Sequence, residues 1–394
     1  LESYSKKEFE QGTQIALMLY CRFMYCVADI RRNLMLQSLA EEAWMVGVRE
    51  VAKSAGVSVG TVSSVLNNSG WVSDEIRKKV EQAMQELGYV PNELARNLFR
   101  NRTDLVGVIV PTIAHPFFSE LVEHLENHLS EHGLRLMLCS TNTQQRGEQE
   151  YVEMLRRHMM DCIIMCAHTI HPSEYWESIG RPIVAVDRNL GASIPNVGSD
   201  HVQGGRFVAK VLIDSGARYV VQVGASADQL HDLNDLQSGM SRVDTFPSLA
   251  HHVELIRCLG QRGISVETTV FPEASGNADM DDAADSIFDQ FPEVDAIVAP
   301  DTEAAVCLRR ALARGRRVPE DLQIIAYDGS TMLQAAGMDM TAIVQDFDQI
   351  AERTVDRVLQ AIKSEHASGG MDTSKQRAAN VLVPVTYRKA STTR

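Results

Sequence analysis

The sequence predicts a chain of two unlike parts: a small all-α helix-turn-helix domain over residues 46–90 and an α/β body of two lobes over 104–390. Three observations lead there. Apolar residues recur at helical spacing between capping residues from Val48 to Gly88. From Leu105 onward, apolar strand runs alternate with amphipathic helices. Eight such runs in the last three-quarters of a 394-residue chain exceed one comfortable domain.

The first helix lies in VREVAKSAG, where Val48, Val51, Ala52 and Ala55 form one stripe and Gly56 is placed to stop it. Ser58 then stands as N-cap to VGTVSSVLN. Val62, Val65 and Leu66 face inward there, and Val59, Gly60, Ser63, Ser64 and Asn67 face outward. After NNSGW, Ser73 caps a third helix that buries Ile76, Val80, Ala83, Met84 and Leu87 and ends at Gly88. Three short helices with a tight first turn form a helix-turn-helix, whose second helix offers its outer face to a DNA major groove. Small polar residues suit a face laid against base edges and phosphates. Without DNA, the same pattern is a three-helix packing module.

Residues 91–103 are expected to be a hinge helix. PNELARNLFRNR starts with proline and gives barely two turns, too little to hold alone. Leu94, Ala95, Leu98 and Phe99 share a face with arginines around it, which fits a segment that folds in a minor groove and wedges a leucine between base pairs. The plainer alternative is a linker. The net charge of −14 is unevenly spread, since residues 46–102 carry eight basic residues against six acidic ones. One positive end can approach phosphates while the acidic body resists non-specific binding.

In the α/β body the strand runs are LVGVIV, LRLMLCS, DCIIMCA, PIVAV, YVVQVG, ISVETTVF, VDAIVA and LQIIAY. Helical stretches such as FFSELVEHLENHLSEHG and VQGGRFVAKVLIDSG lie between them, which indicates parallel sheets. Ligands of open α/β sheets bind beyond the carboxyl ends of strands. Those ends carry Asp187-Arg188, Pro300-Asp301 and Asp328-Gly329. A lone strand-end aspartate is an ordinary helix cap or turn former. Three converging ones, with an arginine, can accept from and donate to the hydroxyls of a polyol or sugar.

Other chemistries find little support. The chain lacks GxxxxGK[ST], a GxGxxG after a strand, GxSxG and HExxH, so no enzyme and no cofactor is expected. His115, His168 and His171 lie at strand ends without ligand spacing, so no metal is expected either. Seven cysteines without a CxxC pair, mostly inside apolar runs, suit a reducing cytoplasm. The apolar stretch at 14–28 is broken by Arg22 and is too short for a membrane span. Residues 1–44 are unlike the rest and are expected to be an extension outside the functional fold.

MVGVREVAKSAGVSVGTVSSVLN, VSDEIRKKVEQAMQELGYVPNELARNL and LVGVIVPTIAHPFFSELV occur in this order and spacing. Together they resemble the lactose-repressor/galactose-repressor family of bacterial transcription regulators, from Met45 almost to the end. The resemblance implies that Ser58, Thr61, Ser63 and Asn67 hold the phosphate backbone and that Val59, Gly60 and Ser64 read bases. It makes Ala95 and Leu98 the minor-groove pair, with Leu98 as the wedge. Many members have arginine where this chain has Ser64, so the operator is expected to differ from commoner ones.

The resemblance also implies a periplasmic-binding-protein-like body, with crossovers near 196–200 and 341–346. In it, Asp187, Arg242, Asp328 and Gln345 contact an effector, and Phe117 and Phe118 line the cleft. Pro300 stands where many members have an effector-binding asparagine. The expected function is a DNA-binding transcription regulator, a repressor, acting as a homodimer on a near-palindromic double-stranded DNA operator and controlled by a sugar. The alternatives are control by a nucleobase or a partner protein, or a soluble solute receptor. VLVPVTYRKASTTR is expected to end in one strand and a polar tail without leucine heptads, which argues against a coiled-coil tetramer.

Overall fold

Serine and glycine punctuation fixes the first helices. In the computed structural model of the chain, the described residues are 47–67, 69–91, 102–141, 145–167, 171–224, 247–271, 277–368 and 380–394. The expected extension over 1–44 and nearly all of the expected hinge fall outside them. The chain divides between Asn101 and Arg102 into two units.

In the first unit, helix α1 spans Val48–Ala55 and ends where Gly56 turns left-handed at φ 67°. Helix α2 spans Val59–Leu66, with the Ser58 hydroxyl accepting from the Thr61 N–H at 3.1 Å. Helix α3 spans Asp74–Leu87, capped by Ser73 at its start and by left-handed Gly88 at its end. Val51, Ala52, Val62, Val65, Val80 and Ala83 form the shared core.

The second unit begins with β1 (Leu105–Val110), α4 (Pro116–Glu131), β2 (Arg135–Ser140) and α5 (Gln145–Arg156). Next come β3 (Cys162–Met165), α6 (Ser173–Glu177), β4 (Ile183–Val186) and β5 (Asn196–Ser199). After α7 (His201–Asp214) follow β6 (Tyr219–Val223), α8 (Ala250–Gly260), β7 (Ser265–Thr269) and α9 (Asn277–Gln290). Then come β8 (Ala296–Pro300), α10 (Asp301–Ala313), β9 (Gln323–Asp328), α11 (Thr331–Ala335) and β10 (Thr341–Val344). Helix α12 (Phe347–Ser368) and strands β11 (Val381–Val383) and β12 (Thr386–Arg388) complete it.

These strands form two six-stranded sheets, ordered β11-β5-β4-β3-β1-β2 and β12-β10-β9-β8-β6-β7. All pairings are parallel except that of β12 with β10. Each sheet is buried on both faces, as the continuous apolar runs require. In the first lobe, the face toward α4 and α12 holds Val106, Leu125 and Val355, and the face toward α5 and α6 holds Ile109, Leu155 and Trp176. In the second, Ile297 and Ala304 pack on one face and Val220 and Leu255 on the other.

Among the described residues the chain crosses between lobes three times: from β5 into α7, from β10 into α12, and from β11 to β12. The first two are the expected crossovers, and the third was not expected. Pro384 and Val385 separate two strands where one was expected. The terminal tail is likewise not a loose polar end. Thr392 and Thr393 are buried. The Thr392 hydroxyl donates to the Ile324 carbonyl at 2.6 Å and accepts from the Thr341 N–H at 2.9 Å. Burial holds the Cys139 and Cys166 thiols up at about 12, which fits packing and not reactivity.

Candidate functional site

In the helical unit, α2 turns its apolar residues inward and leaves Ser58, Val59 and Gly60 exposed at its start. Val59 retains 47% of its surface. Thr61, Ser63, Ser64 and Asn67 are half-buried along the same helix. Their side chains are partly pre-arranged: Ser58 Oγ and Thr61 Oγ1 lie 2.9 Å apart, and Asn67 Nδ2 donates to Ser63 Oγ at 3.3 Å. Trp71, beyond the C-terminal end of α2, is 92% exposed, and no helical pattern in the sequence singles it out. Ala95 and Leu98 lie outside the described residues.

In the α/β unit, the sequence-predicted carboxylates meet at the crossovers. Asp187 follows β4 at φ 48°, and Asp328 ends β9 at φ 118°. Positive φ in non-glycine residues costs roughly 1–3 kcal/mol each, and such strain collects at functional sites. Asp328 Oδ1 accepts from Gln345 Nε2 at 2.7 Å, and Gln345 Oε1 accepts from the Ser199 hydroxyl at 2.6 Å. Asp187 Oδ1 lies 3.1 Å from His201 Nε2, while His201 Nδ1 lies 3.1 Å from the Tyr327 hydroxyl. Each of the two carboxylates therefore has one oxygen tied to a neighbour. Asp187 is 5% exposed and Asp328 8%.

Asp301 is fully buried at the start of α10. Its carboxylate accepts from the Gly329 N–H at 3.0 Å and from both the N–H and hydroxyl of Ser330 at 2.6 Å. It thus holds the turn that follows Asp328. Burial, reinforced by the charge of Asp301, pushes the Asp328 carboxyl well above the usual range, against the pull of the Gln345 bond. Burial also raises Asp301, opposed by the Ser330 hydroxyl. Across the rim, Glu120 on α4 accepts from the N–H and hydroxyl of Thr331 at 2.8 and 2.9 Å.

The aromatic pair is close to the second crossover. Phe117 is buried, edge-on to Phe118 at 5.1 Å and 5.4 Å from the ring of Phe347, two residues beyond Gln345. Arg242 and His168 lie outside the described residues. Of the other histidines at strand ends, His115 caps α4 by accepting from the Phe117 N–H at 3.3 Å, and His171 lies 3.2 Å from Glu148.

A set of buried rings was missed by sequence reasoning. His251 stacks on Tyr327 with centroids 3.8 Å apart, and His252 lies against His251 at the same spacing. His252 Nδ1 is 3.1 Å from Gln222 Oε1. Burial lowers both histidines, His252 to about 3. The available signal was the Gly204-Gly205 pair in VQGG, because a Cβ at Gly204 would stand 2.3 Å from the Tyr327 hydroxyl and one at Gly205 2.6 Å from the His251 carbonyl.

Comparison with known proteins bears on both units. Residues 48–92 match the model of bacterial regulatory proteins of the lacI family. Residues 103–234 match that of periplasmic binding proteins and sugar binding domain of the LacI family, and residues 210–389 a periplasmic binding protein-like domain. The chain is 33% identical to a sucrose operon repressor of Streptococcus mutans over 313 residues, 79% of this chain and 92% of that one. It is 30% identical to the ribose operon repressor of Bacillus subtilis over 353 residues, 89% and 99% of the two chains. The fold is that of the lac repressor dimer bound to operator and the anti-inducer ONPF, with a TM-score of 0.71 at 21% identity, covering 88% of this chain and 98% of that one.

Proposed function

The chain belongs to the lacI family of bacterial regulatory proteins, and from that premise we propose that it is a sugar-responsive operon repressor acting in the cytoplasm. Its relatives are repressors and not enzymes. Residues 46–90 read the operator through Ser58, Val59, Gly60, Thr61, Ser63, Ser64 and Asn67. Residues 91–103 form the hinge, with Ala95 and Leu98 in the minor groove. Residues 104–390 bind the effector and pair two copies into a dimer on a near-palindromic site.

One observation carries the effector reading: two strand-end carboxylates, one from each lobe, each with one oxygen tied by a neighbour and one left to accept a hydroxyl hydrogen. Asp187 and Asp328 bind the sugar directly, joined by Gln345, Arg242 and the Phe117-Phe118 pair. Asp301 acts through the turn it holds, which narrows the direct contact expected for it. A sugar gripped from both lobes changes the angle between them and so alters operator affinity, and by linkage operator alters sugar affinity equally. Relatives named for sucrose and ribose repression, and a structural neighbour described as a complex with cellobiose, support a sugar as the effector class.

The test begins by selecting DNA bound by the full chain from a random duplex library at two salt concentrations. The selected duplex is then titrated with sucrose, D-ribose, cellobiose and a nucleobase panel. The reading expects a near-palindromic site, weaker binding at higher salt, and a change in affinity with one sugar. Response to nucleobases alone would replace the effector class, and failure to select any sequence would overturn the reading.

A further inference from the structure

We propose that His201 is a positioning residue for effector binding, a bridge between the lobes that fixes Asp187 of one relative to Asp328 of the other. This rests on the reading of those two carboxylates as effector contacts. His201 is the first residue of α7, immediately after the first crossover, and its ring is buried. A carboxylate only accepts, so the Nε2 that faces Asp187 carries the proton. In the neutral ring Nδ1 is then left with a lone pair and takes the O–H of Tyr327. Both ring nitrogens are committed, one to each lobe. Tyr327 belongs to β9 and directly precedes Asp328. The path from one effector carboxylate to the other is therefore two hydrogen bonds and one residue of strand.

The surroundings make room for this bridge and nothing bulkier. A Cβ at Gly198, on the neighbouring strand β5, would stand 2.0 Å from Asp187 Oδ1. A Cβ at Gly204 would stand 2.3 Å from the Tyr327 hydroxyl. His251 stacks on Tyr327 with planes 15° apart and holds its ring in place from the other side. Glycine at both ends and a ring clamp at one hold the Asp187, His201 and Tyr327 side chains in one geometry. Loss of the first link frees the Asp187 side chain, and loss of the second frees the ring that holds it; either lets the spacing of the two carboxylates drift, so a sugar that needs both binds less tightly although neither His201 nor Tyr327 touches it.

The test compares full-length wild type, Tyr327→Phe, His201→Asn and the double variant. Tyr327→Phe removes one oxygen and keeps the ring stacked on His251, so the fold stays intact. With sucrose, D-ribose and cellobiose as probes in calorimetry, Tyr327→Phe should weaken the responding sugar about three- to tenfold. The double variant should lose no more than His201→Asn alone, because both substitutions break one bridge. Wild-type affinity in Tyr327→Phe, or losses that add, overturns the proposal. A second readout needs no sugar: the long-range spectrum of chain labelled with 15N-histidine, with the His201 signals identified by their absence in His201→Asn. An Nε2–H tautomer whose Nδ1 resonance moves in Tyr327→Phe supports the bridge. An Nδ1–H tautomer, or indifference to Tyr327→Phe, overturns it. If wild type takes none of the three sugars, the effector reading falls and the spectrum still decides the bridge.

Discussion

Replacing Asp328 by asparagine should move sugar affinity and stability in opposite directions. Asparagine has nearly the same shape, and its amide oxygen can keep the bond from Gln345 Nε2 seen at 2.7 Å. The second position then presents an N–H₂ group in place of a carboxylate oxygen, so a sugar hydroxyl loses its charged acceptor. Such a bond contributes roughly 1.5–3 kcal/mol, so affinity should fall on the order of ten- to a hundredfold. The fold responds the other way. Burial and the charges of Asp301, Glu303 and Asp187 hold the Asp328 carboxyl well above its ordinary 3.8, so its ionised form is unfavourable in the folded chain. A carboxyl raised in the folded state contributes stability only at acid pH, and that contribution is lost as pH rises from 3.8 through the raised value. The amide of Asp328→Asn has no proton to lose. The melting temperature of the variant should therefore exceed that of wild type at neutral pH, by a margin that shrinks on acidification. Calorimetric titration and scanning across pH would measure both. Wild-type affinity would remove Asp328 from the effector site, and a lower melting temperature at pH 7 would refute the electrostatic argument.

Three other outcomes are expected. Gly198→Ala drives a methyl group into the Asp187 carboxylate, and overpacking of this kind costs about 1–3 kcal/mol in urea unfolding while operator binding without sugar persists. The unfolded chain takes up a proton at His252 below its ordinary 6.5, and the fold refuses that proton until about 3, so stability drains away as pH falls through this window. By pH 5 this amounts to about 2 kcal/mol, and a urea midpoint less sensitive to acid in His252→Asn would confirm the source. Thr392→Val leaves the buried Thr341 N–H without its acceptor and the Ile324 carbonyl without the hydroxyl donor, at a cost of about 1–3 kcal/mol that a denaturation curve would show directly.

The helical unit was legible residue by residue because Gly56, Ser58, Ser73 and Gly88 act locally, each within one turn of what it caps. The strand-end aspartates were legible as chemistry, since each follows an apolar run long enough to recognise. Asp301 shows the limit of that argument: all three aspartates look alike in sequence, yet one is spent on the turn beside its neighbour. Strands β3 and β4 are only four residues long but wholly apolar and were legible, whereas β5 (NVGS) and β12 (TYR) mix in polar residues and leave no apolar run to recognise. The His201 bridge was invisible for a different reason. Its partners are 14 and 126 residues away along the chain, and no local pattern announces a contact at such range.

The return of the chain to its first sheet carries a consequence for biosynthesis. β11 pairs with β5 in the register Val381 to Val197, so the open side of β5 is covered by residues made about 180 positions later. At a ribosomal rate of roughly 5–20 residues per second, β5 is made some ten to forty seconds before its partner exists. Throughout that interval the nascent lobe exposes an unpaired parallel edge, the kind of surface that recruits another chain. Polysomes crowd several copies at the same stage. Holding factors that shelter nascent chains should therefore matter most between the synthesis of Ser199 and Val381, and slower translation over that stretch should increase aggregation and not relieve it.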